Sequence, residues 1–297
     1  MSGAVKCKLL LYADDSALLV SGSDVSLIQR KLSQELSVVQ EWLVDNKLSL
    51  HLGKTESILF ASKSKLRINN CVQVECGGVG IESKQNVTYL GITLDQSLSG
   101  EPTANAVINK SNNKLKFLYR KARNLDQHTK KLLVSALIQC HFDYACASWY
   151  TGLTKKSKNR LQVVQNKTIR FILNLPPRSH IGIDEFVQVG FLPVQSRVNQ
   201  LQLNLMYNIF NNCAPSYLMS SVQLNTNTRT RYNQSSFNAI RLSSFGVNSF
   251  SHTGVKLWND LPIQVKLSQS KYNFKKGVKE HFLSRLRQDT ENSFYYY

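Results

Sequence analysis

Leu9-Leu10-Leu11-Tyr12-Ala13-Asp14-Asp15-Ser16-Ala17-Leu18-Leu19-Val20 places two adjacent carboxylates between two apolar runs. Each run is short enough for a buried strand, and the polar break between them reads as a hairpin tip. Carboxylates this close repel one another. Burying them beside apolar strands is costly unless a cation neutralises them. Magnesium prefers carboxylate oxygens. A metal site of this kind can clamp the attacking and leaving oxygens of a phosphoryl transfer. The competing reading of Asp14 and Asp15 is a solvated turn.

Two further blocks follow: His51-Leu52-Gly53-Lys54-Thr55-Glu56-Ser57-Ile58-Leu59-Phe60, then Val87-Thr88-Tyr89-Leu90-Gly91-Ile92-Thr93-Leu94-Asp95. In this order and at these separations, the three blocks resemble the reverse transcriptases of non-LTR (LINE-like) retrotransposons. Tyr12 to Asp15 is similar to the metal-binding Tyr-Ala-Asp-Asp box of that family. Lys54 sits where the family has a lysine after the palm helix. Tyr89 to Leu94 is similar to the primer-grip turn. Gly254-Val255-Lys256-Leu257-Trp258-Asn259-Asp260-Leu261-Pro262 resembles a segment that many such elements carry near their C-terminus.

The resemblance implies RNA-directed DNA synthesis on an RNA template and a DNA primer, with deoxynucleoside triphosphates as substrate. It implies that Asp14 and Asp15 help to hold Mg2+, and that Tyr12 lies near primer or template. Lys54 would neutralise the leaving pyrophosphate, or else it is a plain surface lysine. Tyr89, Leu90 and Gly91 would position the primer end. Two departures stand out. The family uses a third metal-binding aspartate on an earlier strand, and no acidic residue precedes Asp14. His51 also stands where relatives usually have Asn. Met1 therefore reads as the start of a truncated frame, and the chain is expected to be inactive by itself. The other readings are a non-catalytic basic fragment that binds RNA or DNA, and a relic reading frame.

Charge supports a polyanion partner. The chain has 37 Lys and Arg against 19 Asp and Glu, a net charge of +18, and such an excess attracts nucleic acid. The basic residues are spread over several segments and not gathered in one amphipathic helix, which disfavours a membrane surface. No apolar run reaches membrane-spanning length, and the N-terminus lacks a signal-peptide layout. The expected location is intracellular, with nucleus and cytoplasm both open. The six cysteines show no Cys-x-x-Cys pair and read as reduced thiols, with Cys140 on a helical core face.

The expected class is α+β: an antiparallel sheet with a helix, then a mainly helical remainder. Its expected divisions are 1–96, a palm remnant; 97–180, a thumb-like helical region; and 181–297, a helical C-terminal extension. Asp24 should cap a helix with Val25, Ile28, Leu32, Leu36, Val39 and Leu43 on one face. Leu48, Leu50 and Leu52 alternate as in a strand, and Ser57 to Phe60 should return as another. Gly77-Gly78 should turn a short hairpin. Gly91 marks a bulge or close approach.

From about residue 101 the period becomes helical. Ile108, Leu115, Leu118, Ala122 and Leu125 form the first stripe. A second helix, about 129–149, puts Leu133, Leu137, Cys140, Tyr144 and Ala147 together. A third spans about 154–173 and ends at Pro176-Pro177. Basic residues lie off the stripes, and Lys114, Arg120, Lys167 and Arg170 are the expected phosphate contacts. Further on, a helix over about 196–211 buries Val198, Leu201, Leu205 and Ile209. Residues 222–253 read as an extended connector, in which Arg229, Arg231 and Arg241 could touch phosphate. Trp258 reads as a packing anchor, and a basic helix closes the chain over about 270–287.

Overall fold

The computed structural model describes residues 6–225, 235–239 and 246–294, with side chains as far as Gln288. The expectation for Arg229, Arg231 and Arg241 lies outside the described residues. The fold is α+β, and it divides into two compact units, one up to Ser99 and one from Gly100 onward.

The first unit opens with β1 (Lys8–Tyr12) and β2 (Asp15–Leu19), an antiparallel pair in which Tyr12 faces Asp15. Helix α1 (Val25–Asp45) follows. Asp24 caps it, its Oδ1 accepting from the Ser26 amide at 3.0 Å, which satisfies one of the free N–H groups of the first turn. Then come β3 (Glu56–Ser57), α2 (Lys63–Leu66), β4 (Val74–Cys76), β5 (Val79–Ser83), β6 (Asn86–Tyr89) and β7 (Ile92–Asp95). Strand β5 pairs antiparallel with β4 and parallel with β3, while β6 and β7 form a separate pair. Gly77 and Gly78 both take positive φ between β4 and β5, the backbone that a two-residue hairpin turn needs.

Leu36, Leu59, Val72, Val74, Cys76 and Ile81 make the core of this unit. Two expectations need correction. Leu48 to Leu52 is not a strand. Leu50 and Leu52 instead pack against this core, and a 3-10 turn follows at Leu52–Lys54. Their alternation came from packing, not from a pleat. The strand expected over Ser57 to Phe60 is only Glu56–Ser57.

The second unit starts with α3 (Glu101–Lys121). Ile108, Leu115, Leu118 and Ala122 are buried, as the stripe required, and Ala104 joins them, whereas Leu125 lies exposed beyond the end of the helix. Next come α4 (Gln127–Val134), a π-helical turn (Ser135–Gln139), α5 (Cys140–Asp143) and α6 (Cys146–Trp149). Here the buried face starts one residue after the expected one, at Val134, and past the π turn it is two residues on. Val134, Ile138, Phe142 and Cys146 are buried, while Cys140 and Tyr144 are exposed. A π turn holds more residues per turn than an α-helix. The buried positions therefore recur every four residues, and Cys140 leaves the core. Ala145, at φ 46°, breaks the run before α6. All six cysteines are free.

Helix α7 (Lys155–Leu173) is capped by Thr154, whose Oγ1 accepts from the Ser157 amide. It ends at Asn174, which takes a left-handed conformation before the two prolines. Beyond it lie α8 (Ile183–Val189), α9 (Val194–Phe210), α10 (Ser216–Met219), α11 (Phe250–Asn259), α12 (Ile263–Lys266) and α13 (Lys271–Phe294). The packing is continuous across residue 180, since Gln165 Nε2 on α7 donates to the Leu192 carbonyl at 2.9 Å. On α9, Val198 and Ile209 are buried as expected. Leu205 is exposed, and Leu203 and Met206 take the core positions instead.

Trp258 is fully buried among Leu203, Met206, Phe237, Leu261 and Phe274, and its Nε1 donates to the Ser235 carbonyl at 2.8 Å. It is the anchor that its size implied. Among the described residues, no helix is long and apolar enough to cross a membrane.

Candidate functional site

The carboxylate pair sits at the first hairpin. Ala13 and Asp14 are the two turn residues between Tyr12 and Asp15. Ala13 has φ 50°, at the position where a type II′ turn usually places glycine. Tyr12, Asp14 and Asp15 are all exposed, Tyr12 at 64%. The reading of buried strands is therefore corrected. The hairpin is a sheet of two strands only, and Leu18 is its residue that packs on the neighbouring core. Leu10, Leu11 and Leu19 remain exposed.

Among the described residues, no group of three or more His, Cys, Asp or Glu side chains gathers where a metal could be held. Two carboxylates on an exposed turn do not by themselves fit a two-metal centre, which needs fixed coordination on both ions.

The other expected residues of this unit fall on different elements. Lys54 ends the 3-10 turn and is exposed. Tyr89 ends β6 and pairs with Ile92. Leu90 and Gly91 form the turn, with φ 47° and 75°. Gly91 is thus a turn residue, not a bulge. Asp15 and Tyr89 belong to separate two-stranded sheets.

In the second unit the basic residues divide between flanks. Helices α3 and α7 run parallel, with three side-chain contacts setting their register. Ser157 Oγ donates to Glu101 Oε2 at 2.5 Å. One step on, Arg160 Nη1 donates to Asn105 Oδ1 at 2.9 Å. Further along, the rings of Tyr119 and Phe171 meet edge-on at 5.0 Å. Between the helices runs an open groove of about 610 Å³ floored by Ile108 and Val164. Lys155, Lys156, Arg160 and Lys167 line it from α7. It continues past Asn109, Asn112, Asn113 and Lys116 on α3.

Of the four expected phosphate contacts, only Lys167 lies in this groove. Lys114 faces elsewhere: with Lys110 it bears on His141 of α5, where burial and these two charges hold the imidazole below its ordinary value. Arg120 is exposed near the end of α3. Arg170 is committed within the fold, its Nε donating to the Ser179 carbonyl at 2.9 Å. Lys116, Lys155, Lys156, Arg160 and the asparagines were not singled out from the sequence. The signal was there for the asparagines: 105, 109, 112 and 113 share one helical face that leads to Lys116.

Over more than half of its length, the chain is similar to RNA-directed DNA polymerases of mobile elements. It is 28% identical over 180 residues, 59% of this chain, to "Probable RNA-directed DNA polymerase from transposon BS" of Drosophila melanogaster. It is 27% identical over 170 residues, 56% of this chain, to "RNA-directed DNA polymerase from mobile element jockey" of the same fly. The jockey polymerase of Drosophila funebris matches at 24% over 169 residues. The chain spans about a fifth of the length of these relatives, 19% of the first and 18% of the others. No protein-family model matches the chain, and no solved structure does. The expected resemblance to reverse transcriptases of mobile elements therefore holds.

Proposed function

We propose that this chain is a portion of a mobile-element reverse transcriptase, with β1 to β7 from its palm and the α3–α7 pair from its thumb. The observation that carries this reading is the likeness to three such polymerases. The groove supports it, because its walls are rich in cationic side chains, as a phosphate-tracking surface requires. In the assembled polymerase, Asp14 and Asp15 would serve the metal site with ligands from outside the described residues. Tyr12 would lie beside primer or template. Tyr89, Leu90 and Gly91 would hold the primer end, and Lys54 would face the leaving pyrophosphate.

For the chain by itself, binding without catalysis is the favoured reading. The specific observation is the exposed Asp14–Asp15 turn with no further metal ligand gathered near it among the described residues. The test uses the whole chain. Fluorescence anisotropy with a labelled RNA should give an affinity that falls steeply with salt. Joint substitution of Lys155, Lys156 and Lys167 by Ala should weaken binding and flatten the slope, while Lys114→Ala with Arg120→Ala should change little. Primer extension on an RNA template with magnesium should be absent. Salt-independent binding would refute the groove as the contact surface, and extension that depends on Asp14 would refute the non-catalytic reading.

A further inference from the structure

The α3–α7 groove is not uniformly basic. Its α7 wall presents Lys155, Lys156 and Lys167, with Asn159 and Arg160 between them, whereas its α3 wall presents three carboxamides, Asn109, Asn112 and Asn113, before Lys116. Asn105, one turn earlier, is engaged by Arg160. Among the described residues, Asn109, Asn112 and Asn113 have no intramolecular hydrogen-bond partner for their side chains. Each brings two N–H donors and a carbonyl acceptor to the groove uncommitted.

Ammonium groups recognise phosphate whatever the sugar. A carboxamide adds something different, since it both donates and accepts. The ribose 2′-hydroxyl has the matching capacity, and it is the group by which a protein tells RNA from DNA at a given site. We propose that the α3–α7 groove takes an RNA strand. Lys116, Lys155, Lys156 and Lys167 hold its phosphates, while Asn109, Asn112 and Asn113 read its 2′-hydroxyls. This rests on the groove being a nucleic-acid surface and goes further by naming which strand lies in it.

The experiment is fluorescence anisotropy of the whole chain with three single-stranded probes of one sequence: RNA, DNA and 2′-O-methyl RNA. RNA should bind roughly tenfold tighter than DNA, the factor that about one net hydrogen bond supplies. The 2′-O-methyl probe should fall between them, since it retains an acceptor and loses the donor. Joint replacement of Asn109, Asn112 and Asn113 by Ala should erase the preference and leave the salt slope unchanged. Asn112→Ala alone should reduce the preference without touching the fold. Replacing Lys155, Lys156 and Lys167 by Ala should instead weaken all three probes together. If wild type binds RNA and DNA equally, or if the asparagine variants keep the preference, the ribose reading is overturned while the groove stands. If no probe binds, or if the lysine variant loses nothing, the groove itself is refuted as a nucleic-acid surface.

Discussion

Ser157 on α7 donates a 2.5 Å hydrogen bond to the carboxylate of Glu101 on α3, so the starts of the two groove helices are tied together. Thr154 adds its own hydroxyl to the same carboxylate at 3.0 Å. The capping residue of α7 thus serves two helices at once.

This junction is pH-sensitive. Burial pushes the Glu101 carboxyl up, but hydrogen bonds from Ser157 and Thr154, with the Arg160 charge, more than offset it and hold it below 4.5. A carboxylate depressed in the folded state stabilises above its unfolded value and loses that contribution as pH falls through its folded value. Glu101→Gln should therefore lower the melting temperature at pH 7. The gap between variant and wild type should shrink as pH drops below 4.5. A gap that stays constant from about pH 7 to about pH 3 would show that the carboxylate charge is irrelevant.

One residue earlier, Gly100 has φ 75°, and an added Cβ would lie 2.1 Å from the Trp149 carbonyl oxygen. Gly100→Ala should destabilise the second unit by well over ~1 kcal/mol, the scale of backbone strain alone at a positive φ. Gly78 gives the comparison, with φ 78° and no atom within 4 Å of its added Cβ. Gly78→Ala should show the strain without the collision. Equal losses for the two, measured by urea midpoints, would mean that Trp149 yields freely.

Trp258 separates packing from hydrogen bonding. Trp258→Ala should cost about 3–5 kcal/mol through lost contact and a residual cavity. Trp258→Phe retains much of the ring and leaves the Ser235 carbonyl without its indole donor, so its loss should be smaller. Denaturant unfolding of both variants decides this. Matching losses would mean that the hydrogen bond to Ser235, and not the packing of the ring, accounts for most of what Trp258 contributes.

Much of the architecture was legible where a helix runs without interruption. Ile108, Leu115 and Leu118 on α3 obey a single period, and Asp24 caps α1 as a local pattern should. Cys140 and Tyr144 were misplaced because no residue type announces a π turn, and one extra residue per turn rotates everything after it. The groove was beyond local reading for another reason. Whether Lys167 or Arg170 faces a ligand depends on α3, far earlier in the chain, and on the Ser179 carbonyl that occupies Arg170. The sequence blocks around Asp14 and Tyr89 indicated the relatives, but the exposure of the hairpin follows from its pairing, which spacing does not reveal.

The hairpin also sets an expected order of opening. Leu11 is 54% exposed and Leu10, Leu19 and Tyr12 are exposed beside it, so little buried apolar contact protects β1 and β2. Amides of these strands should exchange with deuterium sooner than those of α3 and α7, and limited proteolysis should cut before Asp24 first. Slow exchange in the hairpin would mean that its edges are covered, for instance by self-association.

The parallel register of α3 and α7 also fixes a footprint. From Lys155 to Lys167, the α7 wall of the groove, the helix rises about 18 Å at ~1.5 Å per residue. At ~3.4 Å per nucleotide, that length accommodates roughly five nucleotides of one strand. About five phosphates cap the logarithmic salt dependence of single-strand binding near ~3.5, because each contributes roughly 0.7. So short a footprint makes the groove a weak holder on its own, one whose grip grows when a second contact elsewhere on the same strand raises the effective concentration.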